Sequence, residues 1–325
     1  MLGIAGYAAL WIYQNVISDG ASPGAPAAFT IKRGDSVEQI GAALDRAGIV
    51  RSGTAWAVKA RLNGDDTNLL PGRYALRVDE RYDTIVTALH SGPGSLLPVI
   101  RLTIAEGRAI RDIAGDVKRV SITRTAYLAA VRRARPASGF RATGTERLTM
   151  EGFLFPSTYE LTKPANAAQL VRKQLAAFVA KTAAIDFSAA RRKQLTPYDV
   201  LIIASMIERE AANDRDRPLI SAVIYNRLQQ GIPLGIDATT QYSVGAWRPL
   251  TAADLKVRNA YNTRINRGLP PTAICNPGLA SLQAAARPAK VGYLYYVAIP
   301  HDPQRRHFFT KSFAAFLAFQ RAHPA

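Results

Sequence analysis

Two short segments rich in Gly, Pro and small residues interrupt this chain, and they limit any packed fold to the stretches between them. The first runs from Asp19 to Ala28 (DGASPGAPAA) and the second from Ser91 to Ser95 (SGPGS). Both have the composition of linkers, because few of their side chains could contribute to a core. The sequence therefore predicts an N-terminal segment at 1–18, a linker at 19–28, a small module at 29–98 and a larger domain at 99–325.

Charge separates the small module from the larger domain. The 325 residues include 42 Lys or Arg and 24 Asp or Glu, for a net charge of +18. Residues 1–98 contain nine basic and nine acidic residues, so the whole excess lies in 99–325. A basic domain indicates an anionic partner such as nucleic acid, an acidic polymer or a membrane surface. Nucleic acid is disfavoured, because the basic residues are scattered and no RNP, zinc or helix-turn-helix signature accompanies them.

Cysteine and histidine usage excludes several classes of site. The single cysteine, Cys275, rules out an intrachain disulfide, a cysteine-rich zinc site and an iron–sulfur cluster. None of the four histidines has the spacing of a zinc motif such as H-E-x-x-H. We therefore predict that the protein uses no metal and no cofactor.

The N-terminal segment has two interpretations. It is apolar from Met1 to Tyr13 and, with polar breaks, to Ile17. This is shorter than the roughly 20 apolar residues of a typical spanning helix, and no Lys or Arg precedes it. One interpretation is a buried helix of the fold. We prefer the other, a membrane anchor at 1–18, because a flexible linker follows and would tether the remaining chain outside the membrane.

Hydrophobic periodicity predicts an α+β protein. In the module, Gly34-Asp35-Ser36 before a helix resembles a LysM-type glycan-binding module, although a spacer without a ligand would show the same helix cap. The module's predicted elements are a strand at 29–31, helices at 35–44 and 54–62, a strand at 71–76 and a helix at 81–90. The larger domain is predicted as mixed α+β, with a strand at 99–104, helices at 167–184, 196–210 and 218–230, a hairpin of strands 293–299 and 307–310, and a C-terminal helix at 312–322.

One apolar helix of the larger domain carries a carboxyl group on its apolar face. Thr196 and Pro197 predict its start, as the cap and the first helical residue. At about 100° per residue, Glu210 lies about 20° from Ile203 in the middle of the apolar stripe, whereas Glu208 lies about 140° away. Burial raises the pKa of a carboxyl group, and a carboxyl group protonated near neutral pH can act as a general acid.

Other interpretations of this glutamate stay open on periodicity alone. The helix could fray before Glu210, or an arginine could pair with it. Ordinary glycoside hydrolysis also needs two carboxyl groups that flank the scissile bond. Glu208 points about 160° away from Glu210 and is a poor partner. The remaining options are Asp237, on a loop after the next helix, or a reaction in which the substrate supplies the nucleophile.

Six short motifs follow one another along the larger domain. They are EGFLFP at 151–156, ASMIERE at 204–210, YNRL at 225–228, DATT at 237–240, YNT at 261–263, and GLPP at 268–271 followed by NPG at 276–278. In this order they resemble the endolytic murein transglycosylases of the MltG (YceG-like) family, and the resemblance covers nearly the whole chain. It implies that the second glutamate of the A-S-x-x-E-x-E helix, here Glu210, is catalytic.

The resemblance also implies a reaction that needs one carboxyl group. Such enzymes cleave the β-1,4 bond between N-acetylmuramic acid and N-acetylglucosamine within murein strands, and the muramic acid 6-hydroxyl attacks C1 to leave a 1,6-anhydro end. Glu210 would protonate the leaving oxygen and then accept the proton of the 6-hydroxyl. The implied partners are glycan strands, the inner membrane and peptidoglycan synthases, with the catalytic domain on the periplasmic side, where it would terminate nascent strands.

Polar residues of these motifs are candidate substrate ligands. Asn226 could donate to an acetamido group or pack between helices, and Asp237 and Thr240 could orient substrate or cap a helix. Tyr261 and Asn262 suit sugar binding, because an aromatic face and an amide recognise pyranose rings. A competing class is a noncatalytic peptidoglycan-binding scaffold, against which the retained glutamate argues. The full set of candidate substrate ligands is Glu208, Asn226, Asp237, Thr240, Gln241, Tyr261, Asn262 and Asn276.

Overall fold

A computed structural model describes residues 24–93, 99–140, 149–162 and 165–324. The chain divides into two compact units, the first ending at Val99 and the second beginning at Ile100, one residue from the predicted boundary. The predicted anchor at 1–18 and the start of the predicted linker lie outside the described residues. Within the described ranges, no helix is both long enough and apolar enough to cross a bilayer.

The first unit contains every element predicted for residues 29–98. Strands β1 and β2 pair antiparallel, with Phe29 opposite Tyr74. β1 begins at Pro26, inside the segment predicted as linker, because Ala27 and Ala28 also pair with β2. The elements are β1 (Pro26–Ile31), α1 (Val37–Arg46), α2 (Gly53–Asn63), β2 (Gly72–Arg77) and α3 (Tyr82–Ser91).

The Gly-Asp-Ser motif forms the start of α1. Ser36 Oγ accepts a hydrogen bond from Gln39 N at 3.3 Å, and Gln39 Oε1 accepts one from Ser36 N at 2.7 Å. Asp35 Oδ2 accepts a hydrogen bond from Lys32 N at 2.7 Å. These bonds satisfy backbone donors that a helix start leaves unpaired. Helix capping therefore accounts for the motif, and glycan binding by the module stays a prediction.

The second unit has the mixed α+β architecture that the sequence predicts. Strand β3, which begins at the boundary, pairs with β4, and β5 pairs with β6. The elements are β3 (Val99–Thr103), α4 (Ile110–Asp116), α5 (Arg124–Arg133), β4 (Thr158–Thr162), α6 (Ala167–Thr182), α7 (Ser188–Arg191), α8 (Pro197–Glu210), α9 (Arg217–Gln229), α10 (Asp237–Val244), α11 (Ala252–Leu255), α12 (Leu279–Ala286), β5 (Tyr295–Ala298), β6 (His307–Thr310) and α13 (Phe313–Ala322).

Helix α8 lies at the centre of the hydrophobic core of the second unit. Thr196 Oγ1 accepts a hydrogen bond from Asp199 N at 3.1 Å, and Asp199 Oδ2 accepts one from Thr196 N at 2.8 Å, so a capping box starts the helix. All residues at 200–207 are 3% exposed or less, and α9, α10 and α12 pack against the helix. It remains helical to Glu210, which excludes the alternative that it frays before that residue.

The predicted hairpin of β5 and β6 presents two aromatic faces. Tyr296 lies opposite Phe309, and alternation along β6 places His307 on the same face. The opposite face packs on α13, where the rings of Phe308 and Phe319 stack at 4.3 Å. The hairpin is therefore fixed on one side by α13, and its other side, with Tyr296, faces the end of α8.

Candidate active site

Glu210, the last residue of α8, is held by one side chain of the hairpin. Tyr296 Oη donates a hydrogen bond to Glu210 Oε2 at 3.0 Å. Glu210 Oε1 has no hydrogen bond to any residue that the structure describes. The side chain is partly buried, and burial raises its pKa above the usual carboxyl range. Burial therefore favours the protonated form of Glu210 more than it does for an exposed carboxyl group, and Oε1 is left to contact a ligand.

Charged neighbours modify this pKa in opposite directions. Burial is the largest cause and raises the pKa of Glu210, while the hydrogen bond from Tyr296 lowers it. The negative charge of Asp237 raises it further, and electrostatic interactions with His307 and Arg264 lower it. The net direction is upward, because desolvation penalises the charged form more than these partners favour it.

A buried pair between β6 and the start of α9 supports the ring of Tyr296. The Nδ1 atom of His307 lies 2.7 Å from Asp216 Oδ2, and the backbone N of His307 donates to the same oxygen at 2.8 Å. Both side chains are less than a tenth exposed. The His307 ring meets the Tyr296 ring edge-on at 5.6 Å. Asp216 therefore anchors β6 to the start of α9, and His307 supports the ring that holds Glu210.

Glu208 forms a hydrogen bond and an ion pair on the other side of α8. Its Oε2 accepts a hydrogen bond from Gly278 N at 3.0 Å and lies 3.5 Å from Arg217 Nη1. Its side chain is 7% exposed. The pairing with arginine that was left open for Glu210 thus belongs to Glu208. These contacts favour a positioning role for Glu208, which ties α8 to α9 and to the Asn-Pro-Gly segment.

The charge of Asp237 acts on Glu210, but Asp237 already forms an ion pair with Arg264. Arg264 donates to its Oδ1 from Nε at 2.9 Å and from Nη2 at 2.5 Å. Both side chains are about half exposed. Asp237 is the first residue of α10, where a negative charge is favourable. The pair is accessible to a ligand, and Arg264 restrains Asp237 from acting as a second carboxyl base.

Two predicted amide ligands direct their donors into the protein. The Nδ2 atom of Asn226 donates to Val291 O at 2.9 Å and to Tyr293 O at 2.8 Å. Asn262 is fully buried, and its Nδ2 donates to the carbonyls of residues 255 and 257 at 3.0 and 2.8 Å. Both amides therefore use their donors to hold loops. This arrangement favours the packing interpretation for Asn226 and a structural role for Asn262.

Asn276 and Glu151 form a buried hydrogen-bonded cluster that joins the motifs at 151–156 and 276–278. Asn276 Oδ1 accepts hydrogen bonds from Gly152 N at 3.0 Å and Leu154 N at 2.9 Å. Its Nδ2 donates to Arg108 O at 2.9 Å and to Glu151 Oε1 at 3.1 Å. Burial raises the pKa of Glu151 to about 8, although hydrogen bonds to its carboxyl group lower it. Sequence reasoning missed Glu151 and gave Asn276 a substrate role, whereas these contacts favour a structural one.

The three remaining candidates are Thr240, Gln241 and Tyr261. Thr240 is fully buried, and its hydroxyl has no partner among the described residues. Gln241 Nε2 donates to Arg248 O at 2.7 Å. The hydroxyls of Tyr261 and Thr272 lie 2.9 Å apart, and the ring of Tyr261 packs 5.2 Å from that of Tyr242. Direct contact of these residues with substrate stays a prediction.

The geometry adds Tyr296, His307 and Asp216 to the predicted site. Residues 293–299 were predicted as a strand, but the sequence did not indicate which of its side chains meets Glu210. His307 was predicted only as a strand residue. Asp216, at the start of α9, had no local signal at all, because its role depends on a partner 91 residues away.

Comparison with known proteins identifies a family and several relatives. The model of the YceG-like family matches residues 29–322. An endolytic murein transglycosylase of Streptococcus pneumoniae is 30% identical over 297 residues, which cover 82% of this chain and 53% of the relative. One of Bacillus subtilis is 27% identical over 281 residues, covering 82% of this chain and 77% of the relative. The chain thus spans about half the length of the pneumococcal relative.

A solved structure shares the fold. The crystal structure of a yceG-like protein from Listeria monocytogenes superimposes with a TM-score of 0.58 at 25% identity, covering 90% of this chain and 98% of that chain. Because the family model spans nearly all of both units, the chain belongs to the YceG-like family.

Proposed function

We propose that this protein is an endolytic lytic transglycosylase that cleaves murein strands, with Glu210 as its only acid/base group. The observation that carries the proposal is the state of Glu210. Its pKa is raised by burial, one of its oxygens is held by Tyr296, and the other has no hydrogen bond within the described residues. The names of the curated relatives support the same activity.

The reaction balances with one carboxyl group. Protonated Glu210 donates its proton to the glycosidic oxygen as the bond from C1 of N-acetylmuramic acid breaks. The muramic acid 6-hydroxyl oxygen bonds to C1, and its proton passes to the Glu210 carboxylate. The products are a free 4-hydroxyl on N-acetylglucosamine and a 1,6-anhydro muramic acid end. Glu210 ends protonated, so no water is consumed and the enzyme returns to its starting state.

A hydrolase is the second candidate, because Asp237 acts electrostatically on Glu210. Hydrolysis would need Asp237 to activate water or attack C1. Arg264 donates two hydrogen bonds to Asp237 Oδ1. These bonds occupy an oxygen that would have to accept a proton from water or attack C1, and they therefore oppose both roles.

Digestion of purified murein separates these candidates. Mass spectrometry of the fragments should find new 1,6-anhydro muramic acid ends in the presence of the protein. The internal position of the cuts should appear as fragments of many lengths from the first time points. New reducing ends in place of anhydro ends would support the hydrolase and contradict the single-carboxyl mechanism.

Replacement of Tyr296 by Phe should change the pH dependence of cleavage. Glu210 must be protonated to act as the acid, so kcat/KM falls as pH rises through its pKa. The Tyr296 hydrogen bond lowers that pKa, so its loss raises the pKa and moves the falling limb to higher pH. We also expect kcat to fall about tenfold, because the carboxyl group loses its restraint.

Tyr295→Phe is the matched control for this measurement. Tyr295 lies on the opposite face of the same strand, where its ring packs 5.3 Å from Phe313. Its pH profile should equal that of the unchanged protein. A Tyr296→Phe profile with an unmoved limb, or one moved to lower pH, would mean that Glu210 is not the group that titrates.

We also propose that residues 29–325 work outside the cytoplasm, tethered to the inner membrane by residues 1–18, and that peptidoglycan synthases are partners there. The support is the apolar segment followed by a linker, together with a substrate that lies outside the membrane. A topology reporter fused after Ala325 should be active on the periplasmic side. Activity only on the cytoplasmic side would contradict both the location and access to murein.

For the first unit we propose a LysM-like role in holding glycan, with a spacer as the alternative. The support is its compact strand–helix–helix–strand order and the resemblance around Asp35 and Ser36. Binding to purified murein can be measured with the Glu210→Gln chain, which should not cut it. Deletion of residues 24–93 should weaken that binding, and unchanged binding would favour a spacer.

A further inference from the structure

A basic groove in the second unit is not used by the chemistry at Glu210. It has a volume of about 1190 Å³ and lies between the end of α6, α7, α9, α12 and the segment at 287–292. Its floor includes Ala222, Leu279 and Ala286, and its rim is polar. A groove of this size holds several residues of an extended peptide or a small molecule.

Five cations line this groove, on two sides of it. Lys181, Arg192 and Lys193 come from the α6–α7 side, and Arg287 and Lys290 come from the segment that follows α12. Within the described residues, none of the five has a carboxylate oxygen within 4.0 Å. The single acidic residue of the lining, Asp186, lies 3.9 Å from Arg191 and also interacts electrostatically with Arg192, so four of the five cations have no acidic neighbour in the lining. The unpaired positive charge on both sides therefore favours an anionic occupant that runs between them.

The shape and lining of the groove disfavour a bilayer surface and single-stranded nucleic acid as the anionic partner. A bilayer surface contacts convex, protruding side chains and does not enter a concave groove between helices. Proteins that bind single-stranded nucleic acid commonly stack its bases on exposed aromatic faces. Tyr225, the aromatic residue of the lining, is 4% exposed, and its hydroxyl donates to Ala285 O at 2.8 Å. An extended acidic peptide satisfies both the shape and the charge.

The groove is joined to the active site by continuous chain. The segment at 287–292 forms one side of the groove and leads directly into β5, which carries Tyr296. Asn226 lines the groove and donates to the carbonyls of Val291 and Tyr293. Its neighbour Arg227 donates from Nε to Leu294 O at 2.6 Å. The groove and the strand that holds Glu210 are thus fixed to the same helix, α9.

We propose that this groove binds the carboxylate-bearing peptide attached to the muramic acid of a murein strand whose glycan lies at Glu210. The inference rests on the proposed function, because it assigns a second part of the same substrate. Murein peptides are short, flexible and rich in carboxylates, which suits two facing sets of cations above an apolar floor. The protein would then prefer strands that still carry their peptides over strands from which the peptides have been removed.

Charge reversal on each side tests this assignment. The two variants are Arg192→Glu with Lys193→Glu, and Arg287→Glu with Lys290→Glu. The matched control is Arg132→Glu with Arg133→Glu, which changes the net charge equally on exposed residues of α5 outside the groove. The probe is a synthetic murein tripeptide of L-alanine, D-glutamate and diaminopimelate, labelled for fluorescence anisotropy. Cleavage is measured in parallel on peptide-bearing strands and on strands stripped by an amidase.

Each groove variant should weaken tripeptide binding by roughly tenfold, and the control should not, because the variants replace attraction by repulsion. On peptide-bearing strands the groove variants should raise KM, while rates on stripped strands stay unchanged. Equal tripeptide affinity in the groove variants and the control would overturn the proposal. Groove variants that still bind the tripeptide but no longer bind phosphatidylglycerol vesicles or an oligonucleotide would also overturn it. Anhydro products from stripped strands report on the proposed function separately.

Discussion

Glu210→Gln is expected to lower the rate of murein cleavage by at least ~10²-fold, the usual range for loss of a positioned acid/base group. The amide keeps the size of the side chain and can still accept the hydrogen bond from Tyr296 Oη. Folding should therefore survive, because the amide has the same shape and burial already penalises the charged form of the carboxyl group. The measurement is the initial rate of release of soluble fragments from purified murein, with circular dichroism to check the fold.

Glu208→Gln is the matched control, two residues earlier on the same helix. Its amide oxygen can still accept from Gly278 N, but the ion pair with Arg217 is lost. We expect a smaller loss of rate, caused by a less rigid end of α8 rather than by lost proton transfer. If Glu208→Gln were inactive while Glu210→Gln remained active, the acid would be Glu208, and the assignment from helix phase and burial would be wrong.

Asn276→Ala should destabilise the second unit by about 3 kcal/mol or more. The change leaves two buried donors, Gly152 N and Leu154 N, without an acceptor, and each unsatisfied buried group costs about 1–3 kcal/mol. It also removes the donors to Arg108 O and Glu151 Oε1. The free energy of unfolding of the second unit, from chemical denaturation, measures the loss.

Asn266→Ala provides the comparison within the same loop region. Its exposed amide also donates to two carbonyls, those of Asn259 at 2.7 Å and Asn262 at 3.1 Å. Water can replace these bonds, so the cost should stay below about 1 kcal/mol. If the two changes cost the same, Asn276 would not be the buried connection that we describe. A stable Asn276→Ala protein with impaired substrate binding would instead favour the sequence prediction that Asn276 contacts substrate.

The sequence predicted best what depends on neighbouring residues. The start of α8 followed from Thr196 and Pro197, and the position of Glu210 on the apolar face followed from helical periodicity. The predicted hairpin of strands 293–299 and 307–310 corresponds to the antiparallel pair β5 and β6. In each case the physical determinant lies within a few residues, so the local pattern carries the information.

The roles of individual polar side chains depend on partners that are distant in the chain. The hydroxyl of Tyr296 meets a carboxyl group 86 residues earlier, and the amide of Asn276 donates to a carbonyl 168 residues earlier. Nothing in the sequence of an asparagine distinguishes an amide that binds a sugar from one that holds a loop. Family motifs therefore located the important segments, but only the folded arrangement separates Glu210 from the residues that support it.

In the proposed mechanism the substrate, rather than water, supplies the nucleophile, and a single carboxyl group acts as acid and base. Cleavage of purified murein in isotopically labelled water, followed by mass spectrometry of the new muramic acid ends, tests it most directly. We predict 1,6-anhydro ends that contain no label, because the attacking oxygen comes from the sugar's own 6-hydroxyl. Labelled reducing ends formed at the same rate as cleavage would contradict the claim and make the protein a hydrolase.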